Sequence, residues 1–413
     1  MLPITAVTYS YPVATSTPAL VNPLLLSWAR EQSGYAPESA AKRINVKPER
    51  LLAWERGEGK PTVRQALALA RFYHRPFGLF FLAQPPVLPS LAVEYRRLTG
   101  ITPGVESPEL RLALRVMSYR REAAIELLEE LGESVLEFAT AAHIAEGPLE
   151  VGRRLRELLG VGVQEQLAWR DEWQAWRRWR EAVETAGVLV FQFPKVSLAQ
   201  VRGISLLKLP MPVIGINSKE NAPGARVFTL LHELTHIALA LGQEEKAALG
   251  ESRDDAAWLQ MERFAEEAAS VAIIPEESLA GFLRHMSVPR DGWDVQLMRS
   301  LAAKFRVTPL AMATRLRAAG ALTWDGYQNW RAAWGQYLST LKPPSKGFAT
   351  PVNKTLGRSG RPFAQLVIEA LDSNRITAVH ACRYLDLRFE HFEKLRSALR
   401  EGPSAGHVTD DGD

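Results

Sequence analysis

The sequence predicts a mainly α protein with a small β-sheet, an α+β chain. A helix-turn-helix bundle opens it, a mixed core follows, and a helical module closes it. Three observations point there. Apolar residues recur at helical spacing over most of the chain, as when Leu24, Leu25, Trp28 and Ala29 make one stripe. Only three short runs, 188–193, 203–207 and 212–217, are β-rich and bounded by Gly or Pro. The 413 residues are 46% hydrophobic and 23% charged, enough for several packed domains of roughly 100–200 residues each.

Residues 1–22 form a Pro/Thr/Ser-rich arm without helical period, expected to be extended or mobile. Asn22-Pro23 reads as a helix cap followed by proline at the first helical position. Helices are then expected over 23–32, from Pro37 with Ala40, Ala41 and Ile44 inward, from Pro48 with Leu51, Leu52 and Trp54, and after Pro61-Thr62 with Ala66, Leu67, Leu69, Ala70 and Phe72. This bundle spans 23–85, ending at the Pro85-Pro86 punctuation. The core spans 86–342, with long amphipathic helices over 109–131 and 150–159. Trp169, Trp173, Trp176 and Arg180 share one helical face, so these indoles read as core packing. Beyond the three strands come helices over 222–241 and 257–274, then a second helix–turn–helix pattern over 295–319 with Leu297, Leu301, Ala302, Leu310 and Leu316 as its core. Residues 343–361, with Pro343-Pro344, Gly357 and Gly360, read as a linker. Three short helices over 363–399 make a C-terminal module (362–400), and 401–413 a disordered tail.

Composition excludes several classes. With one cysteine, Cys382, no intrachain disulfide forms, and a structural metal must be held by His and carboxylates. No apolar stretch approaches the roughly 18–20 residues of a membrane helix, and Met1–Pro18 lacks the pattern of a signal peptide. A soluble cytoplasmic protein without a membrane partner is the expectation. The net charge of +4 is unevenly placed: 23–76 carries +5 and 345–402 carries +4, so the remaining residues together sum to −5. Basic ends around an acidic body fit nucleic-acid-facing termini or solvated helix faces.

The strongest chemical signal is His232-Glu233-Leu234-Thr235-His236. One helical turn separates the histidines, so both imidazoles leave the same side and can share a cation. Glu233 between them is placed to act as general base toward an activated water. The next helix offers Glu262 as third ligand and Glu266, one turn on, as a carboxylate orienting an imidazole. Ala265, Ala268 and Ala269 are small enough to let that helix approach the first. The cation is expected to be zinc, or manganese or another divalent ion in its place. The strand holding Arg202, Gly203, Ile204 and Ser205 is positioned to take an extended substrate by strand addition.

These motifs, with the strand runs before them and Glu262-x-x-Ala265-Glu266-x-x-Ala269 after, resemble the ImmA/IrrE metallopeptidases. That resemblance implies a zincin-like core, Glu262 as third zinc ligand, and site-specific cleavage of a helix-turn-helix repressor that switches on mobile-element or stress-response genes. The family usually carries Asn or Asp where Glu266 stands. The segment through Trp54-Glu-Arg-Gly57 and Pro61-Thr62 is similar to lambda-repressor-like (XRE) helix-turn-helix domains. That implies Lys47, Glu49 and Arg50 at base edges or phosphates, with Lys42, Arg43, Arg56 and Lys60 on the DNA backbone. The same bundle also suits docking of a helix-turn-helix partner. Two readings stay open: a zinc endopeptidase, or a DNA-binding regulator or antitoxin (then with a toxin partner) whose peptidase region serves as sensor or scaffold.

Overall fold

The computed structural model describes residues 17–87, 106–242, 256–286, 288, 290–341 and 349–401. They fall into two compact units, the first ending with 106–112 and the second holding the rest.

In the first unit, α1 (Pro23–Gln32), α2 (Pro37–Arg43), α3 (Pro48–Glu55) and α4 (Val63–Phe72) start where the caps demand. The Asn22 side chain accepts from the Leu24 N–H, and Thr62 with Gln65 closes a capping box. Between α2 and α3, Asn45 takes a left-handed conformation (φ 56°), and the Val46 N–H returns to the Ala41 carbonyl. Leu25, Leu26, Ala29, Ala40, Ala41, Leu51, Trp54, Ala66 and Leu69 form the core. Ile44, Leu52, Leu67 and Phe72, expected inside, are half-buried. The arm is docked from Thr17 on: Pro18 bridges Thr62, and Ala19 and Val21 are buried because they cover the same apolar core. Residues 1–16 lie outside the described part.

In chain order the structure continues with α5 (Pro108–Leu131), α6 (Pro148–Leu158), α7 (Val163–Ala168) and α8 (Glu172–Thr185). Then come β1 (Leu189–Phe193), β2 (Gly203–Leu206) and β3 (Val213–Asn217), followed by α9 (Pro223–Leu241), α10 (Ala256–Ile273) and α11 (Glu276–Met286). The sheet order is β1-β3-β2, β3 running parallel to β1 and antiparallel to β2. Every strand residue is buried. The core takes in Trp176 and Trp179 of α8, but Trp169 precedes that helix instead of sharing its face; its ring meets Trp179 edge-on at 6.1 Å. Helices α12 (Val295–Phe305) and α13 (Pro309–Ala318) realise the second helix–turn–helix pattern, with Arg306 left-handed between them. Leu310, expected in its core, is 40% exposed. Helix α14 (Trp324–Thr340) follows.

The expected linker over 343–361 is helical where described. Thr350 caps α15 (Pro351–Ser359), whose Val352 and Thr355 are buried, and Gly360 (φ 80°) joins it directly to α16 (Arg361–Asp372). Gly357 sits inside α15 at its ordinary cost. With α17 (Ala378–Leu385) and α18 (Phe392–Arg400), these helices belong to the second unit. Phe363 meets Phe191 of β1 edge-on at 5.6 Å, and Arg180 of α8 donates to the Gly357 carbonyl at 2.8 Å. The helices expected as a C-terminal module thus pack against the sheet and α8 within the second unit. The tail beyond 401 lies outside the described residues, as do the Pro343-Pro344 punctuation and most of 86–105. Among the described residues, no helix is long and apolar enough to cross a membrane.

Candidate metal centre

Helix α9 starts at Pro223, where a missing N–H costs nothing. Arg226 in its first turns is buried and donates to the Glu220 and Ser218 carbonyls, tying the helix to the loop after β3. Nearly every side chain from Leu230 to Leu239 is buried, His236 fully and His232 in part. Polar groups placed so deep need partners.

Helix α10 crosses α9 and brings Glu262 to the histidines. The two Nε2 atoms lie 3.1 Å apart, His232 Nε2 is 3.5 Å from Glu262 Oε2, and His236 Nε2 is 3.5 Å from Glu262 Oε1. Three ligand atoms therefore lie within 4.8 Å of one another. Ligands bound at about 2.0–2.2 Å in a tetrahedron are separated by about 3.3–3.6 Å; the two histidine–carboxylate distances match that spacing, each to a different Glu262 oxygen, and the histidine–histidine distance is slightly shorter. Two imidazole nitrogens pointing at one carboxylate and at each other form a donor set of the kind zinc takes.

The position of α10 is fixed at its far end. Arg156 of α6 donates to the Ala272 carbonyl, Gln166 of α7 to those of Ile273 and Phe305, and Arg315 of α13 to that of Ile274. These donors satisfy carbonyls at the helix C-terminus, and the arginines also answer its negative pole. Alongside, Gly152 lets α6 approach closely: a Cβ there would come within 2.5 Å of the Ala268 carbonyl and 2.7 Å of the Val271 Cβ. Part of the small-residue face of α10 thus serves α6 as well as α9.

Glu233 is 5% exposed, and Ser205 Oγ of β2 donates to its Oε2 at 2.9 Å. Gly203 makes room for the pair, since a Cβ there would fall 2.8 Å from Glu233 Oε1 and 2.4 Å from Thr229 Cγ2. Alternation along the strand points Gly203 and Ser205 at α9. Their side chains therefore do not face a bound chain, whereas the outer edge of β2, beyond its pairing with β3, is the sheet border. Arg202 stands just before the strand, exposed and ion-paired with Glu220, and Ile204 is fully buried.

Glu266 does not join the cluster. It is exposed and makes no hydrogen bond to either histidine among the described contacts. Although the residue as a whole is exposed, desolvation of its carboxyl by the surrounding protein raises it above the ordinary value, with Arg317 opposing. It stands one turn from Glu262, yet its oxygens are not among the ligand atoms that converge there.

In the first unit Lys42, Arg43, Lys47, Glu49, Arg50, Arg56 and Lys60 are all exposed. The Arg50 guanidinium lies over the Trp54 ring at 5.6 Å, and Arg56 is held by Glu58 at 2.8 Å. Glu55 is turned inward, paired with Arg30 through bonds of 2.8 and 2.9 Å, so it does not dilute the basic face.

The orienting role of Ser205 and the clamp on α10 escaped sequence reasoning. The alternation Gly203–Ser205 was a usable signal for the first. For the second no local signal exists, because Arg156, Gln166 and Arg315 are far apart in the chain.

A buried His–x–x–x–His helix joined by a glutamate from the next helix makes a cluster able to hold a divalent ion. Residues 183–317, which include the whole cluster and the sheet, match the IrrE N-terminal-like domain, Peptidase_M78. Residues 26–80 match a helix-turn-helix model. The chain thus combines a peptidase-family region of the ImmA/IrrE type with an XRE-type helix-turn-helix region. No curated protein and no solved structure matches it.

Proposed function

We propose that the protein is a zinc-dependent, site-specific endopeptidase that cleaves a repressor-like helix-turn-helix protein and so regulates transcription in the cytoplasm. The observation that carries this reading is the convergence of His232, His236 and Glu262 beside a buried Glu233. Those three residues would hold zinc, or manganese or another divalent ion, which supplies Lewis-acid polarisation of a peptide carbonyl and acidifies a water. Glu233 then takes the water proton and returns it to the leaving amine. Ser205 is a positioning residue: its hydrogen bond holds the carboxylate in one orientation. An extended substrate segment adds along the outer edge of β2, at Arg202, Gly203, Ile204 and Ser205, through main-chain bonds.

Family likeness and the exposed basic face of α2–α3 support the regulatory half. Lys47, Glu49 and Arg50 open the second helix of the motif, the position that enters a major groove, while Lys42, Arg43, Arg56 and Lys60 reach phosphates. The peptidase domain runs from 86 past the family match.

The test incubates wild type and Glu233→Gln with the repressors encoded beside its gene. Glu233→Gln is expected to retain metal and lose cleavage, and Ala at His232 or His236 to lower metal content sharply. Cleavage by Glu233→Gln at the wild-type rate would sink the peptidase mechanism and leave the regulator or antitoxin reading, with its scaffold role.

A further inference from the structure

A second concave site lies in the same unit, between α8, β1, the start of α9 and the C-terminal helices. Its volume is about 380 Å³, within the roughly 300–1,000 Å³ of small-molecule pockets. Indoles of Trp173 and Trp176 line it, together with the buried amide side chain of Gln192.

The lining carries Arg177, Arg180, Arg226 and Arg361 against Glu181, Glu184 and Glu401, with Arg226 over the Trp173 ring at 5.3 Å and Arg180 over that of Trp176 at 5.9 Å. Arg180 donates to Glu184 at 3.0 Å, and the exposed Glu181 lies 3.3 Å from Arg178. Arg361 is anchored through one terminal nitrogen to the Ala398 and Leu399 carbonyls of α18. Arg177 is half-buried and donates no hydrogen bond among the described residues. A desolvated guanidinium without an acceptor is costly. Burial holds both Arg177 and Arg361 below their ordinary values. It also lifts Glu184 to about 7, which lowers the negative charge of the wall near neutrality.

We propose that this cavity is a binding site for a small planar organic anion, an aromatic or heteroaromatic carboxylate of one or two rings. The ring system lies among the indoles, and the carboxylate accepts from Arg177 with Arg361 nearby; guanidinium forks suit carboxylates. The wall belongs partly to α15, α16 and α18, so an occupant bridges the C-terminal helices to the body. The site is separate from the metal centre: Arg226 stands six residues before His232, about 9 Å along α9. The inference does not depend on the peptidase reading.

The full-length protein is titrated with benzoate, 2-naphthoate and indole-3-carboxylate and with their neutral amides, following tryptophan fluorescence, calorimetric heat and thermal shift. At least one carboxylate is expected to saturate below about 1 mM and to bind at least about tenfold better than its amide. Arg177→Gln should remove that preference. Gln365→Trp, an exposed position on the wall, should block binding while leaving the circular dichroism spectrum and metal content unchanged. Absence of saturable binding across the panel, equal binding of the amides, or binding that survives both substitutions overturns the assignment.

Discussion

The chain writes one pattern twice. Helices α2 and α3 are joined through left-handed Asn45, and α12 and α13 through left-handed Arg306; each second helix opens on a proline, Pro48 or Pro309. Their surroundings are opposite. The second helix of the first pair shows Lys47, Glu49 and Arg50 to solvent, with only Leu51 and Trp54 buried. In the second pair, Ala311 through Leu316 are all buried, and Arg315 reaches the carbonyl of Ile274 and the carboxylate of Glu276. One copy offers a surface, and the other grips the end of the helix that carries Glu262. The motif fixes a turn and a crossing of two helices; what the second helix does depends on whether its far side is covered.

The largest effect should separate the two copies. Arg315 is 2% exposed at the side chain and replaces no water-facing contact when lost. Arg315→Ala strands a helix-end carbonyl and is expected to cost about 3 kcal/mol. In a denaturant titration, Arg50→Ala should move stability by no more than about 0.5 kcal/mol, as exposed substitutions do. Equal losses would erase the distinction between clamp and surface. Because the clamp positions Glu262, metal content should also fall in Arg315→Ala.

That contrast explains what was legible in the sequence. The helix caps at Asn22 and Thr62, the three strands and the His232–Glu233–His236 turn are local, so spacing alone marks them. The next helix offers Glu262 and Glu266 one turn apart, so the sequence narrows the third position to that pair, and Glu262 is the one that reaches the histidines. The rest depends on tertiary contacts. The strand marks Ser205 as part of a candidate substrate edge, but the contact of its side chain with Glu233 depends on how α9 packs on the sheet. Glu266 had the right spacing but lies outside the cluster. Gly357 and Gly360 read as linker punctuation, yet Thr350, Pro351 and Val352 start a helix that the sheet then covers.

Two buried arginine–glutamate pairs sharpen the comparison. In the first unit Arg30 meets Glu55 with two bonds, which raise the guanidinium above its usual value. In the second, Arg180 gives Glu184 one bond and spends its other nitrogens on the Gly357 and Val190 carbonyls. Burial then outweighs attraction and lifts the Glu184 carboxyl to about 7 from an ordinary 4.5. The folded protein holds this proton more tightly than the unfolded chain. Its contribution to stability is complete below pH 4.5 and is lost as pH rises through about 7. The wild type should lose on the order of 2 kcal/mol over that window, and Glu184→Gln should flatten the decline. Urea midpoints at pH 5 and pH 8 for both proteins measure it; an undiminished slope in the variant would place the titration elsewhere.

The smallest effects on the fold, and the most informative about the exposed copy, lie among its cations. Arg50 is held over Trp54 in a defined position, as a base-reading side chain must be, so Arg50→Ala should weaken a specific site by about tenfold or more and relax its sequence preference. Lys60 is exposed at the far side of the turn after α3; Lys60→Ala should weaken all DNA sequences alike and reduce the salt slope by about one unit. Arg56 is the discriminating case. Its guanidinium is bound by Glu58, so a phosphate must first displace a carboxylate already in place. Arg56→Ala should therefore change the salt slope less than Lys60→Ala does, and Glu58→Gln should raise affinity for every duplex. Fluorescence anisotropy with one duplex at four salt concentrations decides the order. Absence of salt-dependent affinity at low ionic strength would overturn the DNA reading of this face and favour the proposed docking of a helix-turn-helix protein partner instead.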